Sequence, residues 1–190
     1  SSDVCSSDLS PPSPPPLSTS PDLSNWDTSK VTNMESMLAE CDLFNGNISA
    51  WDVSNVENMY EMFWRATSFN GDLSKWDVSS VTDMGYMFDE ASEFNGDLSK
   101  WKTSSVEDFG FMFEDATSFN GNISTWDTSS VTNFVSTFQE ATSFDGDVTY
   151  WDISNFDSST LSLQFTFENT AHTNCTKRSI YDSWNSQISG

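Results

Sequence analysis

Positive charge is what this chain lacks most. Seven Lys and Arg residues stand against 29 Asp and Glu, for a formal net charge of −22. So acidic a surface repels phosphate backbones, which excludes nucleic acid as a partner and argues against docking on anionic membranes. No apolar run approaches the roughly 20 residues of a membrane span, so no membrane insertion is expected. Histidine is almost absent too. The single His172 has no Ser-His-Asp or Cys-His spacing around it. No catalytic residue, no cofactor and no enzymatic activity are expected. Three cysteines, Cys5, Cys41 and Cys175, are too few for a disulfide scaffold.

What the chain has instead is aromatic residues, 14% of the total, in a background rich in Ser, Thr and Asn. Disordered chains are poor in aromatics, so a packed structure is expected despite a hydrophobic share of only 36%. The aromatics are periodic. Trp26, Trp51, Trp76, Trp101, Trp126 and Trp151 are spaced by 25 residues without a slip, and Phe44, Phe69, Phe94, Phe119 and Phe144 follow the same rule. A fixed period in this range is the signature of units stacked into a solenoid.

Each unit divides into three pieces. A Phe-Asn-Gly corner comes first, as at 69–71, closing in the fifth unit as Phe144-Asp145-Gly146. An extended piece follows, with Leu73 and Val78 flanking Trp76 at near-alternate positions. Third comes a candidate short helix. Val56, Met59, Phe63 and Ala66 fall at i, i+3, i+7 and i+10, with Ser54 and Glu57 placed as a capping box. The expected fold is therefore an α/β repeat solenoid of five to six units. Each unit would hold a short strand, a turn and a short helix, with parallel rungs at roughly 4.8 Å. Trp and Phe ladders would form its core. The Asn file at 45, 70, 95 and 120 would satisfy backbone groups at the corner.

Four segments are expected. Residues 1–9 read as a non-native tail, 10–21 as a Pro/Ser-rich linker, 22–159 as the repeats and 160–190 as a C-terminal cap, where the period is lost. A Cys41–Cys175 bridge would join opposite ends of this array, roughly 20 Å or more apart, and is rejected.

Several surface files invite chemistry. Asp27, Asp52, Asp77, Asp127 and Asp152 follow the tryptophans, with Lys102 breaking the series, and Asp72, Asp97 and Asp147 form a second file. Carboxylates at rung spacing suit Ca²⁺, which wants six to eight oxygens. The dense Gly/Asp nonapeptide of Ca²⁺-binding repeats is missing. Thr67, Ser92, Thr117 and Thr142 make a hydroxyl file of the kind that could order water. Asn47, Asn122 and Asn174 lie in N-glycosylation acceptor triplets. Trp64, outside the ladders, reads as solvent-facing: a contact residue or, more commonly for such a position, a stray surface aromatic.

The unit F-N-G-[DN]-[LI]-S-x-W-D-[VT]-S-[SN]-V-[TE]-x-[MF]-x-x-M-F resembles the BspA-like leucine-rich-repeat surface proteins, also known as mycoplasma-type lipoprotein repeats. The match covers about Asp22 to Phe156. Phe109, Phe134 and Ser159 depart from it at the first Met of the helix, Thr137 and Ser162 at the second. The resemblance implies an extracellular or cell-surface solenoid that binds an unknown protein or glycan partner or mediates adhesion; a monomer is expected. Two other readings stay open: a structural spacer without a dedicated ligand, and a Ca²⁺-binding surface repeat.

Overall fold

The computed structural model describes residues 22–155 and 165–188. The units stack in register at a 25-residue offset, but they contain neither the strand nor the helix expected of them. Among the described residues, β-type pairing between units is limited to isolated parallel bridges, Asn33 to Asn58, Asn58 to Asp83, Asp83 to Asp108 and Asp108 to Asn133. One helix is present among the described residues, α1 (Asn174–Ile188). An α/β solenoid of stacked strands and helices is thus the wrong description. The molecule is a pile of turns.

The helix fails for a definite reason. In unit two Met62 donates to Met59, Trp64 to Glu61 and Ala66 to Phe63, each spanning three residues, as in successive turns. Glu61 and Arg65 have φ of 56° and 58°, a left-handed backbone that an α-helix does not admit. The same pair recurs as Ser36/Glu40, Tyr86/Glu90, Phe111/Asp115, Ser136/Glu140 and Phe165/Asn169. Each such residue costs roughly 1 kcal/mol relative to the right-handed form. The offset is a bond to the next unit. The N–H groups of Met59, Glu61, Phe63 and Arg65 donate to the carbonyls of Asp83, Gly85, Met87 and Asp89 at 2.8–2.9 Å. Ser54 therefore caps nothing; its hydroxyl donates to Asp52 instead.

The spacing of apolar residues still points inward. Val56, Met59, Met62, Phe63 and Ala66 are all fully buried. Two Phe files run along the core. Phe44, Phe69, Phe94, Phe119 and Phe144 stack at 5.8–6.0 Å between neighbours. Phe63, Phe88, Phe113 and Phe138 stack at 5.4–5.7 Å. Each indole stacks near-parallel on its neighbour, as Trp26 on Trp51 at 6.1 Å and Trp126 on Trp151 at 6.2 Å. From Trp51 to Trp151 the Nε1–H also donates to a backbone carbonyl 28 residues earlier, as Trp76 to Ile48 at 3.2 Å and Trp101 to Leu73 at 3.1 Å. A buried indole needs such an acceptor. At the corner, Asn70, Asn95, Asn120 and Asp145 each donate N–H to the side-chain oxygen of the residue 25 earlier, at 2.9–3.1 Å.

The period does not end at residue 159. Residues 165–169 form a sixth turn run, reached at an offset of 28 rather than 24: Phe138 N–H donates to Thr166 and Glu140 N–H to Glu168. Four extra residues therefore lie between 155 and 165. Ser159 and Ser162, read as the sixth unit's equivalents of the two Met positions, lie outside the described residues. The cap proper is α1, which starts at Asn174 with Thr173 Oγ1 accepting from Thr176 N–H. It closes the stack by imitation. Trp184 lies over Trp151 at 6.4 Å and 9°, and its Nε1–H donates to Val148, as a seventh ladder tryptophan would. Gln187 bonds both the Trp151 carbonyl and the Ile153 N–H. These bonds satisfy backbone groups that a bare end would leave unpaired.

A candidate binding face on the turn runs

The left-handed turns have an outward consequence. They bury positions 59, 62, 63 and 66 of unit two and turn positions 58, 60, 61, 64 and 65 toward the surface. Stacking makes columns of these outward residues, and the columns vary from unit to unit. One column holds Ser36, Glu61, Tyr86, Phe111 and the buried Ser136, and the one beside it Glu35, Tyr60, the buried Gly85 and Gly110, and Val135. Three half-buried rings meet across them. Tyr60 lies edge-on to Tyr86 at 5.6 Å, and Tyr86 stacks on Phe111 at 4.5 Å and 9°. Gly85 makes room, since a Cβ there would come within 3.3 Å of the Tyr60 ring.

Carboxylates flank this stripe on both sides. Asp83 and Asp108 lie in the column of parallel bridges, where each turns Oδ1 onto the N–H two residues on. On the other side stand Asp89 and Glu114, then Glu90, Asp115 and Glu140. Burial is the first cause that pushes the Asp89 carboxyl up to about 7, and Glu114, Glu90 and Asp115 beside it add to the shift. The Trp64 indole, donating to Asp89, opposes it in part. Asp83, Glu114 and Asp115 are raised by the same order of causes, burial before neighbouring carboxylates. Burial also raises the Tyr86 hydroxyl, and that of Tyr60 to about 12, the latter with Glu61 next to it. Raised acids gathered on one face mark a place where negative charge is held at a cost.

Elsewhere the acids behave in the opposite way. Asp27, Asp52, Asp72, Asp77, Asp97, Asp127 and Asp147 are lowered, first by the hydroxyl of the Ser or Thr two residues on and then by its N–H. Each is turned onto its own backbone. Among the described residues no group of three or more His, Cys, Asp or Glu is arranged to hold a metal ion. The hydroxyl file is likewise engaged. Thr67, Ser92, Thr117 and Thr142 donate to carbonyls of the preceding unit.

The other sequence candidates scatter over the molecule. The ladder residues Trp51 to Trp151 and Phe44 to Phe144 are core, while Trp26 at the first rung is 45% exposed. Asn47, Asn122 and Asn174 are exposed, the last as the first residue of α1. Asn47 and Asn122 accept hydrogen bonds from Ser49 and Ser124. His172 is a rung, set edge-on between Phe144 and Phe167, with Nε2 at 2.9 Å from the Gly146 carbonyl and Nδ1 at 3.2 Å from Thr170. Cys175 is an exposed free thiol. Cys41 is buried at the alanine position of the other units and is disulfide-bonded. Trp64 is half-buried rather than fully solvent-facing, with the Arg65 guanidinium 4.5 Å over its ring. Of the rings on the face, only Trp64 was legible as a contact. Tyr60, Tyr86 and Phe111 occupy no repeated file, so periodicity is blind to them. The glycines at 85 and 110, one position before Tyr86 and Phe111, were the signal available.

A family described as Mycoplasma protein of unknown function, DUF285, matches residues 17–110 and again 73–184. The chain belongs to this family. The two matches overlap, as befits a DUF285 chain built from one repeated unit. No curated protein and no solved structure matches it. Among the described residues, no helix of this DUF285 protein is long and apolar enough to cross a membrane.

Proposed function

We propose that this DUF285 protein is a non-enzymatic binding module, displayed outside the cell or on its surface, whose partner is a protein or glycan. The carrying observation is the face of the turn runs, where half-buried rings of Tyr60, Tyr86 and Phe111 lie between two files of carboxylates, among them the raised groups of Asp83, Asp89 and Glu114. The repeated part of each unit goes into the core and the variable part into that face. Such a division suits recognition, because the outward residues change without cost to the stack. The surface location rests on the resemblance to BspA-like adhesive repeats. The non-enzymatic reading is supported by His172, both of whose ring nitrogens are engaged in closing the stack.

The test is a glycan array and a pull-down with the whole chain, repeated with the Tyr86→Ser, Phe111→Ser double variant. Saturable binding that the double variant loses is the expected result. A folded chain without any saturable ligand would instead favour a spacer.

A further inference from the structure

The face already holds one cation, and it is the protein's own. Arg65 is the single Lys or Arg in the outward columns of the turn runs among the described residues. Its guanidinium carbon lies 4.5 Å over the Trp64 ring, with Nε 2.9 Å from the Glu90 carboxylate and a terminal nitrogen 3.8 Å from Glu40. A planar, delocalised cation suits such a place twice over, because it lies over a ring and reaches carboxylates on both sides through different nitrogens. Two units further along the stack the same ingredients recur without a cation. The stacked Tyr86 and Phe111 rings replace the indole, and Glu114 and Asp115 stand where Trp64 and Arg65 stood. No ion pair reaches Asp89, Glu114 or Asp115 among the described residues.

Building on the binding-module reading, we propose that the Tyr86–Phe111 rings and the carboxylates of Glu114 and Asp115 receive arginine side chains of a partner protein, repeating between molecules the contact that Arg65 makes within this one. Charge complementarity selects the partner. A cation relieves carboxylates that are partly buried and mutually repelling, whereas a neutral glycan leaves that cost in place. A lone divalent ion does not fit, since the described carboxylates form no metal-holding group.

The probe is a fluorescein-labelled hexa-arginine peptide, titrated with the whole chain at physiological salt and read by fluorescence anisotropy. Hexa-lysine and the glycan array run in parallel. Saturable binding that is tighter for hexa-arginine than for hexa-lysine is expected. The Tyr86→Ser, Phe111→Ser double variant should weaken it about tenfold. Ser36 and Ser136 already occupy that column with φ of 51° and 50°, so the backbone accepts serine there, and circular dichroism checks the fold. The Asp72→Asn, Asp97→Asn control removes two charges from another face, at a position where Asn47 and Asn122 stand in other units. It should weaken binding by no more than about twofold at physiological salt. Equal weakening by the control would reduce the effect to net charge and overturn the proposal. So would equal affinity for the two peptides, or no peptide binding at all. A glycan that binds and is lost in the double variant, with hexa-arginine inert, would sink the arginine assignment and leave the binding module standing. No saturable ligand of any kind would defeat both.

Discussion

The inward and outward columns of the turn runs share one backbone and obey different rules. Inward, Met34, Met59, Met84, Phe109 and Phe134 keep one character over five units, and so do Leu38, Phe63, Phe88, Phe113 and Phe138. Outward, Ser36, Glu61, Tyr86 and Phe111 share only a left-handed φ of 51–59°. A buried side chain must pack on the one 25 residues away, so its size and polarity are dictated. An outward side chain has only to tolerate its backbone. Stability and recognition are thereby assigned to different residues of the same turn.

The contrast is broken most severely inside. Trp76→Ala should cost about 3–5 kcal/mol, and several units should lose structure together in urea, because each rung is packed on both neighbours. Trp26→Ala removes the same residue from the first rung, where it is 45% exposed, and should cost less than about 1 kcal/mol. Equal losses would show that burial is not what distinguishes the rungs. Trp184→Ala comes next. It strips the imitation rung from Trp151 and should cost about 3 kcal/mol, with amide exchange rising first around residues 148–153.

Asp89 sharpens the comparison, because it belongs to an outward column yet is buried. Its carboxyl is raised from an ordinary 3.8 to about 7. Between those values the folded chain keeps a proton that the unfolded chain releases, so this group's contribution to stability falls as pH rises through that window. Asp89→Asn should therefore raise the melting temperature at pH 8, and the gain should disappear near pH 4. A gain of the same size at both values would point to something other than ionisation. Asn95→Ala removes one corner acceptor from the N–H of Asn120 and should cost about 1 kcal/mol by chemical denaturation. Tyr86→Ser, on the open face, should change stability by no more than about 0.5 kcal/mol. A larger loss would move Tyr86 from the recognition surface into the fold.

Much of this was legible from periodicity. The Trp and Phe files were readable as ladders, and the corner asparagines as backbone partners, because each repeats at one offset. The carboxylate files after the tryptophans were readable as well, but not their orientation toward their own Ser and Thr neighbours. The binding face was largely illegible. Its rings break the period, and a repeat is recognised by what recurs.

The 25-residue period and the residues to be buried are properties of the sequence alone, since like side chains can be superposed only at that offset. The turn runs, the sixth unit after its four-residue insertion and the rungs supplied by Phe167, His172 and Trp184 were settled by the tertiary structure. Apolar positions spaced by three and four describe a helix and a chain of successive turns equally well. What separates them is where the N–H of Glu61 finds its carbonyl, and that carbonyl is Gly85, one whole unit away.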